Sequence, residues 1–138
     1  MSNDCATFQH LAKSRLAEAE LLLDNGLPSG AYYLAGYVIE CALKAIIAKD
    51  FRANEIPDLK YVRDIYTHDL SALLRLAELE EQLDAKKVAD PELYQSWTTV
   101  KTWSESARYK VWTQAEASAI LAGVGGDKGL LGWLRNYW

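Results

Sequence analysis

The sequence predicts an all-α fold, an up-and-down bundle of four to five helices. Apolar residues recur at helical spacing along most of the chain, and the alternating runs that mark strands are nearly absent. The prolines, Pro28, Pro57 and Pro91, fall between the helical stretches. The chain has 138 residues, of which 50% are apolar. We therefore expect a single domain over residues 1–138 with one buried core.

Two long helices open the chain and predict an antiparallel hairpin. The first covers about residues 7–25 and carries one apolar stripe. Asn25-Gly26 is a typical left-handed helix stop, and Pro28-Ser29 suits the start of a second helix. The second helix, about residues 29–49, is apolar almost all round, which favours a place at the centre of the bundle or in an interface.

Shorter helices follow. Residues 50–67 are mixed in character and predict a loop with a short turn of helix. Thr67 or Asp69 can cap a third helix, whose leucines continue to Leu83. Asp90-Pro91 predicts the start of a fourth helix that ends at about Ser104.

The C-terminal part of the chain begins with an irregular segment, SESARYKVW. Thr113 can then cap a fifth helix that stops at the glycines of residues 123–126. An amphipathic piece, LLGWLRNYW, ends the sequence, and its aromatic residues either dock on the bundle or meet a partner.

Composition excludes several classes of protein. Fifteen basic and nineteen acidic residues give a net charge of −4 and a pI near 5.2, which argues against a broad basic nucleic-acid interface. Cys5 and Cys41 do not make a disulfide scaffold, so a reduced cytosolic interior is expected. The two histidines and two cysteines show no metal-ligand spacing, so we expect neither a metal nor another cofactor.

The sequence shows no export or membrane signal. The start, MSNDCATFQH, lacks a basic region followed by an apolar run. The most apolar stretch, residues 31–48, is interrupted by Glu40 and Lys44, and a charge at mid-membrane costs about 2.5–3.5 kcal/mol. The stretch also falls short of the roughly 20 residues that a span needs. We expect a cytoplasmic protein without a membrane span.

The second helix carries a polar strip. Tyr33, Tyr37, Glu40 and Lys44 are spaced four, three and four residues apart, so they share one helix face. This face is either the solvent-exposed edge of the helix or the lining of a cleft or two-fold interface, because charges rarely enter apolar surroundings without a partner.

Two further polar clusters lie in the connections. His68, beside Asp69 and behind Arg63, can act as an acid or base, and Arg63 can brace a phosphate. Alternatively, His68 and Asp69 only organise the start of the third helix. Arg108 and Tyr109 can stack on a base and clamp its phosphate, or they plug the end of the bundle.

The order of these segments resembles the HEPN domain, the nucleotide-binding helical bundle of prokaryotes and higher eukaryotes. The resemblance covers about residues 10–121. It rests on LAKSRLAEAELLLDNGLPSGA, YYLAGYVIECALKAIIAK, THDLSALL and ESARY, in that order. It implies a bundle of four to five helices, a homodimer and often a minimal nucleotidyltransferase as partner.

The resemblance also implies a site. Some HEPN branches are metal-independent endoribonucleases of toxin–antitoxin pairs, with an Arg, a polar residue and a His four to six residues beyond the Arg. Arg63-Asp64 followed by His68 fits this spacing, and Arg63 and His68 would be catalytic. The nucleotide or phosphate would be bound by a second set of residues: Lys44, Glu40, Tyr37, Asp69, Arg108 and Tyr109. The alternative is a non-catalytic subunit that binds a nucleotide or a protein beside a nucleotidyltransferase.

Overall fold

A computed structural model describes residues 3–138 and is all-helical over that range, which confirms the predicted fold class. The described chain contains more helical segments than the four to five expected. The α-helices are α1 Cys5–Asp24, α2 Pro28–Lys49, α3 Leu59–Ile65, α4 Leu70–Leu76, α5 Glu80–Asp84, α6 Lys86–Ala89, α7 Pro91–Val100, α8 Gln114–Gly125 and α9 Leu130–Leu134. A 3-10 helix, Glu105–Tyr109, lies between α7 and α8.

Helix α2 is the central element of the bundle. It forms a hairpin with α1 and also packs against α4, α8, α9 and the 3-10 helix. Most of its side chains are buried, including Ile39, Leu43 and Ile47. This arrangement confirms the expectation that a helix that is apolar all round lies at the centre of the bundle.

The local stop and start signals act as predicted. Gly26 has φ +71°, and the Leu27 N–H bonds the Leu22 carbonyl at 2.9 Å, which closes α1 in a Schellman motif. Asp69 and Asp90 cap α4 and α7 through their carboxylates.

We expected the third helix to run unbroken to Leu83, but the structure splits it into α4 and α5. Glu78 has φ +60°, and the Leu79 N–H bonds the Leu74 carbonyl at 3.2 Å, so a second Schellman motif ends α4. A glutamate in the left-handed position is not a typical helix stop, which is why the pattern predicted one helix.

The fourth helix, α7, ends at Val100 rather than near Ser104. Beyond it the chain turns, so that Trp103 is buried against α2. Trp97 and Trp103 are both core residues. At the C-terminus, Trp133 is buried, and the last aromatic residues pack partly buried on the same core.

The apolar stretch of residues 31–48 was expected to be too short for a membrane span, but the helix that contains it, α2, is by length and composition alone long and apolar enough to cross a membrane. In the structure, 72% of its most apolar window is buried inside the protein.

Candidate functional site

The polar strip of α2 forms the base of the candidate site. The Tyr33 and Tyr37 hydroxyls lie 3.1 Å apart, and their rings meet edge-on with centroids separated by 5.1 Å. One helical turn further, the Lys44 Nζ donates to Glu40 Oε2 at 3.3 Å. The four side chains therefore lie in the single row that their spacing predicts.

Glu40 and Lys44, at the C-terminal end of this row, are covered by other parts of the chain. Glu40 is 5% exposed and is the buried charged residue of the described core. The Lys44 side chain is 13% exposed. Position 40 is thus not a solvent-exposed edge of α2, and its carboxylate depends on partners within the protein.

His68 supplies one of those partners. Its Nδ1 lies 2.7 Å from Glu40 Oε1, and its Nε2 lies 3.1 Å from Glu105 Oε2. The imidazole side chain is 42% exposed, whereas the Glu40 side chain is 7% exposed. A neutral imidazole has one N–H and can donate to one of these carboxylates, whereas the protonated ring can donate to both. Glu40 therefore orients the ring from the buried side.

An aromatic wall stands beside His68. The Tyr37 ring meets the His68 ring edge-on at 5.8 Å and the Trp103 ring at 5.0 Å. Trp103 is fixed in turn, because its Nε1–H donates to the Tyr33 carbonyl at 3.1 Å. Burial, together with the hydrogen bond between the Tyr37 and Tyr33 hydroxyls, raises the pKa of Tyr37, so this phenol stays protonated at neutral pH.

The 3-10 helix brings Arg108 and Tyr109 to the same part of the molecule. Interactions with the hydroxyls of Tyr33 and Tyr109 raise the pKa of Arg108, and the guanidinium lies 4.8 Å from the Tyr109 ring centroid. Both residues are exposed. Trp112, by contrast, is half-buried and stacks on the buried Tyr32 ring with the ring centroids 3.6 Å apart. Arg108 and Tyr109 are therefore open to a ligand.

The structure does not bring every predicted residue into this cluster. Arg63 is exposed on α3 and, within residues 3–138, its side chain has no hydrogen bond or ion pair. Its neighbour Asp64 pairs with Lys60 at 2.8 Å. The Asp69 carboxylate accepts the N–H groups of Ser71 and Ala72 as the α4 cap. Asp69 therefore has a structural task, and His68 is held by Glu40 rather than by its sequence neighbours.

Glu105 is the member of the cluster that the sequence reasoning missed. It precedes Arg108 by three residues, and side chains at this spacing lie on one side of a 3-10 helix. The ESARY segment thus contained the signal, but the spacing is informative only once a 3-10 helix is known to form there.

The described chain, residues 3–138, contains no group of three or more His, Cys, Asp or Glu side chains arranged to hold a metal ion. The groups available at the site are an oriented imidazole, a guanidinium, two carboxylates, an ammonium and several phenols. Comparisons with protein-family models, with curated proteins and with solved structures find no match to this chain.

Proposed function

We propose that the protein is a HEPN-type bundle that binds a nucleotide, or the phosphate of an RNA, at the surface formed by His68, Arg108 and Tyr109. The observation that carries this proposal is the contact between the buried Glu40 carboxylate and His68 Nδ1 at 2.7 Å. It fixes the imidazole so that Nε2 lies on the exposed side of the ring, in contact with an exposed residue.

The ligand chemistry follows from the charges at that surface. Arg108 is a hydrogen-bond donor toward an anion, and the protonated form of His68 can donate from Nε2 while its Nδ1 bonds Glu40. Tyr109 offers an exposed ring on which a base can stack. Glu105, whose side chain is 48% exposed, occupies His68 Nε2 in the structure. A phosphate oxygen can replace this carboxylate, since both are anionic acceptors of similar reach. Glu105 should therefore compete with an anionic ligand.

Binding is tested by fluorescence anisotropy with ATP and with a labelled single-stranded oligoribonucleotide. We expect His68→Ala and Arg108→Ala to weaken binding at least tenfold and Glu105→Gln to strengthen it. His10→Ala is the matched control, because His10 is exposed on α1 and bonds only Ser14 within residues 3–138. If neither probe binds, or if His68→Ala and His10→Ala behave alike, the assigned surface is wrong.

A second candidate function is a metal-independent endoribonuclease, favoured by the same carboxylate–imidazole pair. A buried carboxylate that fixes the orientation of an imidazole is an arrangement that general acid–base catalysis uses. His68 would take the proton of the RNA 2′-hydroxyl as its oxygen attacks phosphorus, or protonate the leaving 5′ oxygen. A guanidinium would stabilise the charge on the phosphorane-like transition state.

RNA cleavage in EDTA separates the two candidates. If the protein is a nuclease, it cuts RNA and His68→Ala abolishes cutting, whereas a binding protein retains RNA without cutting it. Arg63→Ala and Arg108→Ala then show which guanidinium acts. The contacts favour Arg108, because Arg63 lies outside the cluster. Loss of cutting in Arg63→Ala alone would instead support the spacing of the HEPN nuclease motif.

The resemblance also leads us to propose a homodimer and a nucleotidyltransferase-like partner protein. Light scattering at micromolar concentration tests the first. Co-purification with the product of a neighbouring gene, lost in Tyr37→Ala or Arg108→Ala, tests the second. A monomer that purifies without any companion would contradict both.

A further inference from the structure

We propose that a second site, a cleft of about 520 Å³ between the start of α1, the C-terminal half of α2 and α3, binds a small amphipathic carboxylate. The proposal rests on the shape and lining of this cleft and does not depend on the nucleotide surface. Its volume lies within the range of about 300–1,000 Å³ that small-molecule sites occupy.

The lining of the cleft is mostly apolar. Helix α2 contributes Ile47 and Ala48, α1 contributes Phe8, and α3 contributes Val62 and Ile65. Apolar walls on three sides favour a ligand with a hydrocarbon or aromatic body, because each buried CH₂ group contributes about 0.8 kcal/mol.

Lys44 is the basic residue of this lining. Its side chain is 13% exposed, and the ammonium donates to Glu40 at 3.3 Å. An ammonium carries three N–H donors, so Lys44 can bond Glu40 and a ligand carboxylate together. Hydrogen bonds between ionised groups are roughly twice as strong as neutral ones, so a carboxylate should be preferred to an alcohol of the same length.

The carboxylate bonded to Lys44 limits the charge of the ligand. The Glu40 carboxylate accepts a hydrogen bond from the Lys44 ammonium at 3.3 Å. Because Glu40 already compensates the charge of Lys44, a polyanion such as a nucleoside phosphate would bring several uncompensated negative charges into the cleft, whereas a monovalent carboxylate brings one.

The test compares octanoate with octanol, titrated into the full chain by isothermal titration calorimetry. We expect octanoate to bind at least tenfold more tightly than octanol. Lys44→Met should remove this preference but keep octanol binding, and Lys101→Met, at an exposed lysine outside the cleft, should leave it unchanged. Ala48→Phe should fill the cleft and weaken both ligands, and circular dichroism verifies that each variant is folded.

The unsubstituted protein alone can overturn the proposal. Equal affinity for octanoate and octanol, or no binding of either, refutes the carboxylate site even if Lys44→Met does not fold. A protein that is dimeric, that fails to bind octanoate and that becomes monomeric in Ala48→Phe would assign the cleft to a second copy. ATP and RNA binding are measured separately, so failure of one site leaves the other proposal intact.

Discussion

Gly36→Ala tests whether the packing of Trp103 against α2 determines both the stability of the bundle and the shape of its site. A methyl group at position 36 would lie 1.9 Å from Trp103 Cδ2 and 2.0 Å from Cε2. Since non-bonded carbon atoms rest at about 3.5–4.0 Å, the indole ring must withdraw by roughly 1.5 Å. Trp103 is nearly fully buried, so its neighbours must also move.

The expected change in stability follows from three contributions. Overpacking of a core costs about 1–3 kcal/mol. Moving the ring also breaks the bond from Trp103 Nε1 to the Tyr33 carbonyl, a loss of about 1 kcal/mol. Alanine gains about 1 kcal/mol over glycine in a helix, which offsets the lost hydrogen bond. We therefore expect Gly36→Ala to lower the free energy of unfolding by about 1–3 kcal/mol.

Urea unfolding, followed by circular dichroism, measures this change. Gly132→Ala is the matched control, because a methyl group on that residue of α9 meets no atom within 4 Å among the described residues. The control should gain up to about 1 kcal/mol from helix propensity. Gly36→Ala should also weaken ATP binding, since Trp103 supports Tyr37 beside His68. If Gly36→Ala is as stable as the parent while the control behaves as expected, the close packing is wrong.

Three further predictions concern the core and the helix ends. Thr113→Ala removes a capping-box hydroxyl of α8 and should cost about 1 kcal/mol in urea unfolding; an unchanged midpoint would contradict the cap. Burial raises the pKa of Cys41 to about 11, so its thiol stays neutral at pH 8, and mass spectrometry should find iodoacetamide on Cys5 well before Cys41. Because the pKa of Cys41 is higher in the folded state than in the unfolded state, its neutral buried thiol stabilises the fold fully below the ordinary thiol pKa, and this stabilisation is lost as pH rises through about 11. Equal labelling rates of Cys5 and Cys41 would refute the burial of Cys41. Glu40→Gln leaves Lys44 without its buried ion pair and should cost up to about 3–5 kcal/mol, whereas exposed Glu105→Gln should change stability by less than about 1 kcal/mol; equal effects in urea would show that the position 40 carboxylate is not buried.

The helix ends show what sequence alone can predict about this fold. Gly26 and Glu78 occupy the same left-handed position in two Schellman motifs. The first could be predicted because glycine favours that conformation without a steric cost. The second could not, because glutamate normally favours continuing the helix, and only the packing of the following leucine, Leu79, into the core ends it.

The candidate site also contains residues that the sequence could predict and residues that it could not. The row from Tyr33 to Lys44 could be predicted because it depends only on the period of one helix. The contact between His68 and Glu40 joins residues 28 positions apart, so it depends on how α4 packs against α2. The position of Glu105 could not be predicted for a further reason. It depends on a short 3-10 helix, whose sequence preferences are weak.

The buried pair at the centre of the site is better explained by orientation than by stability. Taking the Glu40 carboxylate out of water carries a desolvation cost that Lys44 and His68 must offset. An apolar side chain at position 40 would join the surrounding core without that cost, since Ile39, Leu43 and their neighbours already form a continuous apolar cluster. What an apolar residue cannot do is accept a hydrogen bond from His68 Nδ1 and so fix the direction of the ring. The Glu40 carboxylate therefore holds the half-exposed imidazole of His68 in one orientation. Anion binding and acid–base chemistry both benefit from an imidazole fixed in this way.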